Sequence, residues 1–100
     1  EGARLALYFQ RKASSITSAY SILGDKALFE TVRTALSLPA SMSNATIEVQ
    51  AQVITKKLNL DDLKDPKKVE RFIARFAAMY EITTKQNNAA SLASMLFSNQ

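Results

Sequence analysis

The densest acidic cluster in the chain is Asp61, Asp62 and Asp65. A calcium loop would need carboxylates or amides at alternating positions, a central glycine and a distal bidentate glutamate. None of that spacing is present, and Pro66 stops the loop. The three aspartates read instead as a turn followed by a helix cap. Paired carboxylates can also do acid–base work, but the acidic residues here fall at predicted helix ends or on polar faces, with Glu1 terminal. Serines are plentiful, yet serine needs a base to become a nucleophile. With no histidine in the chain only a lysine could serve, and nothing marks one out. The absence of cysteine removes disulfides and thiolate metal sites. Gly2 and Gly24 are the only glycines, so there is no glycine-rich phosphate loop. The expectation is a protein that is not an enzyme and uses no cofactor and no metal.

Positive charge offers more. Lys56, Lys57, Lys64, Lys67, Lys68, Arg71 and Arg75 concentrate around one corner and form a candidate basic binding face. Asp61, Asp62, Asp65 and Glu70 lie among them and dilute it. A helix-turn-helix needs a short tight turn, and the segment from Leu58 to Asp65 is too long for one. Thirteen basic against nine acidic residues leave a formal charge of +4. That mild excess fits a solvated surface, whereas a nucleic-acid footprint calls for basic residues gathered on one face. Nucleic-acid or anionic-surface binding is therefore a second reading, behind a protein partner.

These side chains must be positioned by helices. The chain has 100 residues, the size of one domain, of which 47% are apolar and 22% charged. Only two glycines and two prolines are present, which favours long helices with few corners over many turns. Leu5, Phe9, Ala13, Ile16, Tyr20 and Leu23 step by four, four, three, four and three, a helical stripe. Ser14, Ser15 and Ser18 weaken it and put a bend or break near Ser14. Gly24 closes it as a glycine with positive φ would, and Asp25 caps the next helix. That second helix carries Leu28, Val32, Ala35 and Leu36. It ends at Leu36-Ser37-Leu38-Pro39, with Ser37 just past the cap, Leu38 folded back onto Val32, and Pro39 barring continuation.

A polar loop comes next, with Ser43 or Asn44 as cap, and the third helix carries Ile47, Ala51, Ile54 and Leu58. It ends Leu58-Asn59-Leu60, the same leucine-polar-leucine pattern, with Asn59 in the left-handed conformation and Leu60 against Ile54. Asp65-Pro66 is the clearest helix start. The fourth helix buries Val69, Phe72, Ile73, Phe76 and Tyr80. Most aromatic residues fall on apolar stripes as core, while Tyr8 and Phe29 lie beside them and could face a partner.

The expected fold is all-α, a compact bundle of four principal helices plus a short C-terminal helix. Residues 1–81 form the helical domain, and residues 82–100 form a polar linker and a short helix docked on the chain itself or on a partner. Leu92, Leu96 and Phe97 make that last helix a candidate partner-docking element, with a homodimer as one outcome. No apolar run approaches the ~20 residues of a transmembrane helix. The chain begins Glu1-Gly2-Ala3-Arg4, with neither an initiator methionine nor an apolar signal segment, as expected of a piece of a longer protein.

From Ile16 to Tyr80 the chain resembles the bacterial family called domain of unknown function 1217. Three segments carry the resemblance: Ala27 to Pro39, Gln50 to Leu58, and Asp62 to Lys68 followed by Arg71 to Phe76. The family tends to have glycine where this chain has Ser37. The resemblance implies an all-helical protein, mainly alphaproteobacterial and often encoded among flagellar genes, with no established activity or cofactor and hence no site residue to carry over. It implies a non-catalytic protein-interaction module accessory to flagellar assembly, export or motility, with flagellar components as partners, in the cytoplasm or at the flagellum.

Overall fold

Serines decide where the first helix stops. The computed structural model describes the backbone of residues 1–98 and the side chains of residues 1–84. Helix α1 spans Gly2–Lys12 and runs into a 3-10 turn over Ala13–Ser15. The Ser15 hydroxyl donates to the Lys12 carbonyl at 2.7 Å, and Ile16 turns extended. Ser18, also extended, accepts from the Ser21 amide and caps α2, Ala19–Leu23. Short hydroxyl side chains thus take over backbone partners that a helix would have used. The break predicted near Ser14 is present. It also resets the phase of the stripe: Ala19 and Ile22 are buried, while Tyr20, predicted as core, is 54% exposed.

Gly24 corrects a second expectation. Its φ is −79°, so no left-handed turn is needed there. The new start comes from Asp25, whose carboxylate accepts from the Ala27 and Leu28 amides and caps α3, Lys26–Ala35. Ser37 ends that helix with φ of 57°. The Leu38 amide reaches the Arg33 carbonyl at 2.9 Å and the Ser37 amide reaches Thr34 at 3.1 Å. That pair of bonds is the Schellman arrangement, and Leu38 is buried with Val32 in one cluster.

A 3-10 turn over Ala40–Asn44 leads into α4, Ile47–Lys57. Its cap is Thr46, not Ser43 or Asn44: the Thr46 hydroxyl accepts from the Val49 amide. Ile47 is half exposed, and the buried face of α4 begins at Gln50. The Gln50 side-chain Nε2 donates to the carbonyls of Ala45 at 2.8 Å and Ser43 at 3.4 Å, which fastens the preceding turn to the helix.

The Asn59 corner is not a copy of the Ser37 corner. Asn59 has φ of −79°, and its side chain accepts from the Asp61 amide at 3.0 Å to cap a 3-10 turn over Leu60–Lys64. Asp65 then caps α5 by accepting from the Lys67 amide, with Pro66 at the first helical position as predicted. Helix α5 runs without interruption from Pro66 to Ser98. The polar stretch 82–88 predicted as a linker is helical backbone, so the fourth and last predicted helices are one. No glycine or proline interrupts that stretch, and polarity alone does not break a helix.

The fold is all-α, with five α-helices and no strand among the described residues. Phe9 of α1 stacks on Phe72 of α5 with centroids 5.0 Å apart, and Gly2 lies against Tyr80, so the two helices run antiparallel. An added Cβ at Gly2 would fall 2.9 Å from the Tyr80 ring, so glycine permits that approach. Helix α3 packs on both, and α2 packs on α3 and α4. The main core gathers Phe9, Ile22, Val32, Ile54 and Leu63, and a smaller one joins Leu5, Ala35 and Phe76. Each large side chain among them contributes roughly 1.5–3 kcal/mol by leaving water. Residues 81–84 of α5 are exposed. At a rise of about 1.5 Å per residue, its 33 residues match the long dimension of the molecule, 53 Å.

Candidate functional site

The predicted basic face divides in two. Lys57, at the end of α4, and Lys68, Arg71 and Arg75 of α5 line one shallow groove of about 310 Å³, floored by Leu36, Leu58 and Phe72. The α5 residues converge because spacings of three and four return to one side of a helix. Lys56 lies beside Lys57 on an adjoining surface around Asn59 and Asp61. Lys64 and Lys67 are exposed and line neither surface. Asp62 enters the groove and accepts from the Lys68 ammonium at 3.2 Å, an exposed pair that adds at most about 1 kcal/mol. Lys57, Arg71 and Arg75 have no carboxylate partner among the described residues.

Two of the three carboxylates of the acidic cluster have structural partners. Asp65 caps α5, Asp62 meets Lys68, and the Asp61 amide is held by Asn59. Among the described residues no group of three or more carboxylate, imidazole or thiol ligands could hold a metal. No helix among them is long and apolar enough to cross a membrane. Leu92, Leu96 and Phe97 lie outside the described side chains, and so does the docking role predicted for them.

A larger groove, which no sequence pattern predicted, lies between α1 and α3. It measures about 970 Å³, within the usual size of ligand and partner clefts, and Leu5, Leu7, Tyr8 and Ala27 supply its apolar surface. Leu7 is 65% exposed there. Arg4, Arg11 and Lys26 rim it with Glu1 and Glu30, and Arg4 pairs with Glu1 at 2.9 Å. One signal was legible: Leu7 is a large apolar residue out of phase with the stripe of Leu5 and Phe9.

Tyr8 ties this groove to the next helix start. Its hydroxyl donates to Asp25 at 2.5 Å, and the Arg11 and Lys12 cations lie 6.0 and 5.8 Å from its ring. The hydrogen bond to Asp25 is the chief reason the phenol's pKa sits above its ordinary value, with desolvation second. The same bond is the chief reason the Asp25 carboxyl sits below the usual carboxylate range; desolvation opposes it, and the Leu28 and Ala27 amides and the Lys12 charge assist. Both groups are therefore pushed away from neutrality, the wrong direction for an acid or base working near pH 7. The bond between them ties α1 to the start of α3.

Residues 1–69 match the model of a family described as protein of unknown function (DUF1217). The match begins earlier and ends sooner than the resemblance read from Ile16 to Tyr80, so it takes in α1 and omits most of α5. The chain is also similar to a protein from Agrobacterium tumefaciens whose crystal structure was solved in a structural-genomics programme. The two are 43% identical, with a TM-score of 0.71, over 82% of this chain. The likeness spans 34% of that protein, so this chain covers about a third of its length. No curated protein matches the chain.

Proposed function

The chain belongs to the DUF1217 family of proteins of unknown function, and from that premise we propose that it is a non-catalytic protein-interaction module accessory to bacterial flagellar assembly, export or motility. The observation that carries the interaction half is the groove between α1 and α3. Leu7 stands 65% exposed in it, beside Leu5, Tyr8 and Ala27. An apolar floor rimmed by charges of both signs is the composition of a protein-binding surface, with a dry centre and a polar rim. The one perturbed titratable pair among the described residues, Tyr8 and Asp25, is tuned away from proton transfer at neutral pH. The chain has no histidine or cysteine with which to supply a nucleophile and its base.

The flagellar half rests on the family resemblance, since such proteins are often encoded among flagellar genes. Deleting the gene in its native bacterium should abolish swimming or alter the filament or basal body. Normal swimming with intact flagella would overturn that half. Flagellar components should be recovered on the immobilised protein, and Leu7→Glu should reduce their recovery, because a charge at the groove centre opposes an apolar contact. Unchanged recovery would move the binding surface off this groove.

A further inference from the structure

Three cations line one small groove whose own carboxylate is already paired. Lys57, Arg71 and Arg75 converge on a floor of Leu36, Leu58 and half-buried Phe72. The one carboxylate there, Asp62, is already engaged by Lys68. Lys57 has a structural role at the C-terminal end of α4, where a cation suits the helix dipole. Arg71 and Arg75 have no such role: they sit in the second and third turns of α5, exposed and without a carboxylate partner among the described residues.

We propose that this groove binds an acidic peptide segment of a protein partner, its carboxylates held by Lys57, Arg71 and Arg75 and an apolar side chain seated on Leu36, Leu58 and Phe72. The inference rests on the reading of the chain as a protein-binding module and adds the chemistry of one partner segment. The planar guanidinium fork matches a carboxylate in two parallel hydrogen bonds. The apolar floor separates a peptide from a nucleic acid. A phosphate track wants extended positive charge and aromatic faces free for bases. Here Lys64 and Lys67 lie off the groove. Asp62 inside the rim would oppose a phosphodiester chain, whereas a volume of about 310 Å³ accepts one or two side chains.

The test is fluorescence polarisation at low salt with the full chain. The probes are a labelled short peptide of alternating glutamate and leucine, a lysine–leucine peptide, and a single-stranded oligonucleotide. The glutamate–leucine peptide should bind tightest and weaken with added salt. Arg71→Gln with Arg75→Gln keeps most of the side-chain length and removes two charges from exposed positions, so the fold, checked by circular dichroism, should hold. Affinity should fall by about tenfold or more, as when charge pairs are lost from a contact. Lys64→Gln with Lys67→Gln removes the same charge outside the groove and should change affinity by less than about threefold.

Equal loss in both double variants, tighter binding of the oligonucleotide, or no binding of the acidic peptide overturns the proposal. A further arm separates it from the broader reading. If the Arg71→Gln, Arg75→Gln protein still recovers flagellar components while Leu7→Glu does not, the interaction module stands and the acidic-peptide groove falls.

Discussion

The chain turns after α3 and again after α4 with the same letters, leucine, a polar residue and leucine, and the two turns are built by different means. At Leu36-Ser37-Leu38 the backbone does the capping. Two amides fold back onto the last carbonyls of α3, which demands φ of 57° at Ser37. A left-handed L-residue costs roughly 1–2 kcal/mol. The bonds it permits return about 0.5–1.5 kcal/mol each, and Leu38 is buried as part of the same turn. At Leu58-Asn59-Leu60 a side chain does the capping. Leu58 turns extended, and the Asn59 amide oxygen takes the Asp61 N–H. The residue just past each corner selects between the two. Pro39 cannot donate and holds Leu38 extended, leaving the backbone to cap α3 on its own. Asp61 presents a free N–H two residues beyond Asn59, the geometry of an Asx turn.

The first way to break this comparison is to remove the leucine that closes each corner. Leu38 is 7% exposed and sits in the main core, whereas Leu60 is only partly buried against it. Leu38→Ala should cost about 2–5 kcal/mol, as core leucine truncations do, and Leu60→Ala less, about 1–2 kcal/mol, since its side chain is only partly removed from water. Urea midpoints of the two variants would measure this. Equal losses would mean that the corners depend on the core alike, whatever their backbone.

Glycine sharpens the contrast, because it should change sign between the two positions. Ser37→Gly relieves the left-handed strain and should stabilise by about 1 kcal/mol, net of the entropy that glycine loses on folding. Asn59→Gly removes a side-chain cap from a residue that needs no glycine. It should destabilise by roughly 0.5–1.5 kcal/mol, and Asn59→Asp should retain most of the cap. Thermal unfolding of all three would decide it. A stabilising glycine at 59 would restore the matched-corner reading that the observed φ of −79° rejects.

Local competition made one corner legible and the other not. The sequence pattern pointed correctly to Ser37 past the helix end and to Asp65-Pro66, because Pro39 and Pro66 each leave the chain a single way to continue. It misplaced Asn59, whose side chain can satisfy either a left-handed turn or an Asx turn, and the pattern alone does not say which. Tyr20 was misread because a stripe counted through a break keeps the wrong phase, whereas Ile47 is in phase with Ala51 and Ile54 but stands in the first turn of α4, ahead of its buried face. Ser14, Ser15 and Thr46 were visible, but the angle through which they turn the chain was not. Helix α5 was cut short because the stretch after Tyr80 is polar, and a polar stretch can continue a helix as well as form a loop. The basic groove was half legible, since spacing brings Lys68, Arg71 and Arg75 together on one helix. Bringing Lys57 to them depends on how α4 meets α5, which no local pattern encodes. The groove between α1 and α3 is tertiary altogether, and Leu7 was its only trace.

A third corner, at Gly24-Asp25, gives the smallest effect and the finest test. Its cap is a charged side chain, and a tyrosine from α1 completes it. The Ser37 and Asn59 corners carry no titratable cap of their own, so only this one should respond to pH. Asp25 has its folded pKa lowered, first by the Tyr8 hydrogen bond. Its contribution is therefore present above the unfolded value of about 4 and lost as pH falls through the folded one. Tyr8 has its folded pKa raised, first by the same bond. Its contribution is present below the unfolded value of about 10 and lost as pH rises through the folded one. Tyr8→Phe should flatten both limbs of a plot of urea midpoint against pH and return the Asp25 carboxyl, tracked by NMR, towards the ordinary carboxylate range. Asp25→Asn keeps an N-cap of similar strength; it should remove the acid limb and weaken the alkaline one, since the Tyr8 shift comes first from Asp25. If Tyr8→Phe leaves the acid limb where it was, the tyrosine is a bystander, and the Asp25 corner is one more self-sufficient cap like the one at Asn59.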